Sequence, residues 1–108
     1  MMRQISEADW KRFRKVHPLA LERFCERVLT EIGRLASSPG ESAHERYLAV
    51  FRLLQRRDKE LGEAFNDFRR STALLQLALL RSRGLVTDEE RARFSPETRS
   101  VLETLQGG

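Results

Sequence analysis

Residues 43–83 contain no proline, and their apolar positions recur at alternating steps of four and three. The positions are Tyr47, Phe51, Leu54, Asp58, Leu61, Phe65, Phe68, Thr72, Leu75 and Leu79, interrupted only by Asp58 and Thr72. A spacing that averages three and a half residues keeps one stripe of an α-helix facing another helix. Ser42-Ala-His-Glu45 has the form of a capping box and opens this segment; Gly84 suits the left-handed residue that closes it, with Leu85 free to pack back on the last turn. Read as one helix, the segment is ~60 Å long at the α-helical rise.

The flanking segments are helical too. Ser6-Glu-Ala-Asp9 resembles a capping box, and a first helix runs to about Val16 with Trp10, Phe13 and His17 on one side. Pro18 cannot donate a backbone bond, so it is expected to start a second helix over 18–36 rather than continue the first. Leu21, Phe24, Cys25, Val28, Leu29, Ile32 and Leu35 give that helix a broad apolar face. The loop at 37–42, Ser-Ser-Pro-Gly-Glu-Ser, is short enough to make its neighbours antiparallel. Beyond Gly84, Thr87-Asp-Glu-Glu90 caps a short helix over 88–93. Ser95 and Pro96 then begin a last helix over 96–105. No strand pattern competes. The expected fold is all-α, a single domain over 1–108: a bundle built on a long antiparallel helix pair with short capping helices at both ends.

A length mismatch shapes the functional expectation. A helix over 18–36 spans only ~28 Å, so the seam beyond about Leu61 outruns it. Leaving Leu61, Phe65, Phe68, Leu75 and Leu79 wet would forfeit about 1.5–3 kcal/mol each. A break near Asn66–Ser71, a fold-back of the last two helices, or a second copy of the chain would each solve this. The unbroken heptad favours the second copy, and a homodimer seated on these five residues is the expected solution. "ALLQLALL" at 73–80 then lies between a partner helix on one side and the C-terminal helices on the other.

Composition narrows the classes. The chain has 108 residues, one cysteine and a formal charge of +4 from 20 basic and 16 acidic residues, 17 of the basic ones arginine. The absence of an apolar run of ~20 residues excludes a membrane span, and the start lacks a secretory signal; the cytoplasm is the expected location. Cys25 alone makes no internal disulfide or Cys-based zinc site. No Gly-rich phosphate loop and no Ser/His/Asp arrangement appears, and no cofactor is expected.

Two polar groupings stand out. Lys11, Arg12, Arg14 and Lys15 share the side of the first helix opposite its aromatics and could contact nucleic-acid phosphates; an ordinary amphipathic helix with a wet basic side explains them more simply. Arg57, Asp58 and Glu63 lie in an arginine- and carboxylate-rich stretch. Asp58 there could serve an all-α enzyme's acid–base site, or pair with Arg57 or an arginine across an interface and fix register. The segment Leu79–Phe94 resembles the turn of short helical C-terminal oligomerisation modules, in which Gly-Leu/Ile-Thr-x-Glu-Glu recurs. The likeness ends where Ser-Pro-Glu-Thr-Arg follows in place of their single basic amphipathic helix. The leading expectation is a non-enzymatic helical protein–protein interaction module, self-associating through helix 43–83, with an unidentified protein as further partner. A nucleic-acid-associated protein is the alternative, and a small enzyme around Asp58 the next.

Overall fold

The computed structural model describes residues 4–106. It is all-α, with no strand among the described residues. Helix α1 spans Glu7–Ala36, α2 Ala43–Phe65, α3 Ala73–Ser82, α4 Asp88–Ala92 and α5 Pro96–Leu105, and a single 3-10 turn, Arg70–Thr72, precedes α3. No helix among the described residues is long and apolar enough to cross a membrane.

The expected helix boundary at Pro18 does not exist. Helix α1 passes through it without interruption. Phe13, Val16, Ala20, Phe24 and Val28 form one buried stripe on both sides of the proline, while Pro18 itself is exposed. The missing N–H leaves the carbonyl of Arg14 without its helical donor, a cost that burial of the shared stripe outweighs. Ser6 caps the start, its hydroxyl accepting from the Asp9 amide at 3.2 Å.

Helix α2 returns along α1. Arg46 donates to the Ala36 carbonyl at 2.6 Å, Arg57 reaches Glu31, and Phe65 packs edge-on against Phe24 with ring centroids 6.0 Å apart. Three contacts in opposite chain order define an antiparallel pair. The Ser42/Glu45 capping box is formed, and Gly40 turns the preceding loop with φ +84°.

The long helix over 43–83 is broken, contrary to expectation. Helix α2 ends at Phe65, and the chain bends through residues 66–69 before the 3-10 turn. Asn, Asp, Ser and Thr in this stretch offer the backbone local partners that compete with helix. The Thr72 hydroxyl donates to the Asp67 carbonyl at 2.8 Å, and the Asp67 carboxylate receives Arg69 at 2.7 Å. The 4-3 periodicity persists across the break because each of the two helices carries an apolar stripe of its own.

Breaking there lets α3 fold into the core. Ala73, Gln76, Leu77, Ala78 and Leu80 are buried, and Gln76 donates its amide to the Ala64 carbonyl at 2.9 Å. The all-round apolar stretch is thus covered by α1, α2 and α5 of the same chain, with only Leu75 left exposed at its outer edge. Gly84, at φ +71°, closes α3, and the Leu85 amide bonds the Leu80 carbonyl at 3.0 Å. The helices after it begin at Thr87 and Ser95, the caps read from the sequence.

The short helices do not sit at both ends of the pair. They gather at one end, meeting α1 through Asp9, Arg23 and Arg27 and α2 through Glu60 and Ala64. The molecule measures 53 × 25 × 24 Å. Its elongation comes from the other end, where residues 29–57 of α1, the loop and α2 form a two-helix arm.

Candidate functional site

Four of the eight exposed large hydrophobics among the described residues stand on the arm. Within the arm, Leu53, 2% exposed, is the buried residue of α2, flanked at helical spacing by Arg46 and Arg57, both bonded to α1. The stripe one position on is the one read as the seam. Over its first half it faces solvent: Tyr47, Phe51 and Leu54 are 65%, 49% and 44% exposed. Leu29 of α1 joins them at 65%. The Tyr47 and Phe51 rings stack nearly parallel, 11° apart with centroids at 6.5 Å. Toward the body the stripe continues into a shallow groove of about 240 Å³ between α1 and α2, lined by Cys25, Leu29, Ile32, Leu54, Asp58 and Leu61 among others.

Arg57 forms the rim of this groove and locks the two helices together. Its guanidinium donates to both Glu31 oxygens at 3.1 Å and to both Glu60 oxygens at 2.9 and 2.8 Å. These bonds hold the Arg57 pKa well above its ordinary value, Glu31 contributing most, and hold Glu31 below its own. The expected Arg57–Asp58 pair is therefore absent; Arg57 is taken up by α1 and by Glu60. Asp58 stands exposed on the apolar stripe, and Glu63, also exposed, lies outside the groove lining. The three residues do not converge on one site.

The five residues expected at a partner interface part company. Phe65 is 6% exposed and belongs to the intrachain core. Phe68 folds onto α1, stacked on His17 at 4.1 Å and within 5.1 Å of the Trp10 ring. Leu61 is half-buried in the groove. Leu75 and Leu79 line a different hollow, beside Leu105. Leu61 and Phe65 end α2, and the break at 66–72 separates the rest: it folds Phe68 back onto α1 and carries Leu75 and Leu79 to another side of the molecule.

Of the four candidate phosphate contacts, Arg12 donates to Asp9 at 2.5 Å and Arg14 lies 5.8 Å over the Trp10 ring. Lys11 and Lys15 are exposed. Arg12 and Lys15 also border a hollow with Leu19 and Arg93. Among the described residues no group of three or more His, Cys, Asp or Glu side chains is placed to hold a metal ion.

Sequence reasoning missed the most constrained polar residue. Asp9 is completely buried. Its carboxylate accepts from the Ser95 amide at 3.1 Å, the Ser95 hydroxyl at 2.5 Å and the Thr98 hydroxyl at 2.6 Å, besides Arg12. Burial pushes its pKa up, but the bonds from Ser95, Thr98 and Arg12 outweigh it and leave the group below the usual carboxylate range. Glu90 is a second such anchor. Arg23 grips it bidentately at 2.7 and 2.8 Å and also donates to the Leu85 carbonyl, and this pairing lowers the Glu90 pKa. Only the local half of each motif, the caps at Ser6 and Thr87, is visible in sequence; the partners lie 86 and 67 residues away.

Compared with family models, curated proteins and solved structures, the chain finds no significant match. The functional reading therefore rests on the arm.

Proposed function

We propose that the protein is a non-enzymatic helical interaction module that self-associates through the α1–α2 arm. One observation carries the reading: Leu29, Tyr47, Phe51 and Leu54 stand together in solvent on one face of a two-helix projection. A two-helix arm has no third layer of its own to cover that face, and stacking on another helix pair makes a four-helix core. At roughly 150–250 Å² for each aromatic side chain, these four residues expose about 400 Å² between them. That is about half of the ~800 Å² per partner of a stable interface, and the polar side chains flanking the stripe would supply the rest. The interface thus moves from the distal half of the stripe, Leu61 to Leu79, to the half before Asp58.

Sedimentation tests the reading. The wild type should be dimeric at tens of micromolar, and Phe51→Glu monomeric, since burying an unpaired carboxylate costs several kcal/mol. A monomeric wild type at that concentration overturns it.

The basic side of α1 supports an alternative, a nucleic-acid-associated protein using Lys11, Arg12, Arg14 and Lys15. Changing all four to Gln would then abolish binding to a DNA duplex and flatten its salt dependence.

A further inference from the structure

Resting on the self-association proposed above, we infer that the dimer forms by antiparallel pairing of α2 with α2 of a second copy, with its register set by a hydrogen bond between Tyr47 and the partner's Asp58. The exposed stripe contains one polar interruption. It runs Tyr47, Phe51, Leu54, Asp58, Leu61, and Asp58 shares the groove with Leu29, Ile32 and Leu54. Any partner that covers the apolar members also covers Asp58, and a carboxylate taken from water needs a donor. Arg57 cannot supply it, being committed to Glu31 and Glu60.

Two ways of stacking one arm on another differ on this point. Laying α2 on the partner's α1 sets Asp58 against the groove-lining side of that helix, which carries Cys25, Val28, Leu29 and Ile32. None of these side chains is a strong hydrogen-bond donor, whichever register is taken. Laying α2 antiparallel on the partner's α2, with the twofold axis between residues 52 and 53, gives a different match. Phe51 then meets the partner's Leu54, and Tyr47 meets the partner's Asp58. The only hydroxyl on the stripe faces its only carboxylate, twice over by symmetry. By the helical rise the two Asp58 groups then lie ~16 Å apart, so they do not repel strongly.

Neighbouring registers fail on the same groups. A slip of seven residues toward the body sets Asp58 against the partner's Leu54. A slip the other way shortens the overlap, because α2 begins at Ala43, and leaves Leu61 uncovered. Tyr47 already lies in the stripe, stacked on Phe51, so little side-chain freedom is lost on pairing. The free edge of α2 carries Leu48 and Gln55, and no like charges are forced together there. A single polar pair within an apolar seam commonly fixes helix register in this way.

Cross-linking in the full chain, with Cys25→Ala as background, tests the geometry. A disulfide needs Cα atoms within about 7 Å. Mixing Tyr47→Cys protein with Asp58→Cys protein should give a mixed disulfide dimer, and neither alone should cross-link, their own pairs being ~16 Å apart. Separately, Tyr47→Phe should raise the dimer Kd about tenfold or more by stranding Asp58, and Tyr47→Phe with Asp58→Leu should restore it. A wild-type dimer in which the mixture stays uncross-linked, while Asp58→Cys joins Leu29→Cys, overturns the α2–α2 pairing and leaves self-association standing. A wild-type monomer overturns both.

Discussion

At the scale of single residues, the fold is tied together by a few buried ionisable groups whose partners are far away in sequence. Asp9 accepts three hydrogen bonds from the first turn of α5 and one from Arg12. Asp9→Asn replaces an anion with an amide that cannot accept all of them, so a loss of about 2–4 kcal/mol is expected in urea unfolding. A change under 1 kcal/mol would mean the carboxylate is dispensable. The pH dependence follows from sign. Burial holds the His17 pKa below its ordinary value, and Asp9 and Glu90 are also lowered. In each case the unfolded chain binds the proton more readily, so the stabilising contribution is full above the unfolded pKa and is lost as pH falls through the folded one. Thermal stability should therefore decline first below about pH 6.5 through His17 and again below about pH 4 through the two carboxylates. His17→Leu should remove the first decline and leave the second; a variant that keeps both would show that His17 is not its origin.

At the scale of elements, the two misread boundaries have a common cause. The proline's missing donor places a boundary at Pro18 and the unbroken heptad places none at 66–72, and the folded chain reverses both. The proline is tolerated because its exposed side faces water while Phe13, Val16, Ala20 and Phe24 bury a continuous stripe. Pro18→Ala restores a donor for the Arg14 carbonyl, and a gain of about 1–3 kcal/mol is expected from the urea midpoint. Destabilisation would show instead that α1 depends on the proline. The break before α3 was among the alternatives legible in sequence, since Asn66, Asp67, Ser71 and Thr72 all favour local bonds. An unbroken heptad is not evidence against it, because two stripes on successive helices can keep the same count.

At the scale of the whole molecule, the two halves of the stripe have different surroundings. Phe65 is buried against Phe24 and His17, whereas Phe51 is half exposed on the arm. Phe65→Glu should unfold the chain, and Phe51→Glu should dissociate the proposed dimer while leaving the thermal transition of the monomer within about 0.5 kcal/mol of wild type. Circular dichroism melts beside sedimentation separate the two; equal destabilisation by both would remove the distinction between core and arm.

What the sequence determined by itself was local. The caps at Ser6, Ser42, Thr87 and Ser95, the turn at Gly84 and the all-α class follow from short-range hydrogen bonding and helical periodicity, which act within about four residues. The apolar stripe bearing Tyr47, Phe51 and Leu54 was legible for the same reason. Which stripe faces the chain's own core was not. Leu53 and Leu54 are adjacent and equally apolar, and only the clasp of Arg46 and Arg57 on α1 turns one inward and leaves the other in water. The anchors at Asp9 and Glu90 were likewise decided by tertiary structure alone, because a carboxylate's partners across more than sixty residues leave no periodic trace.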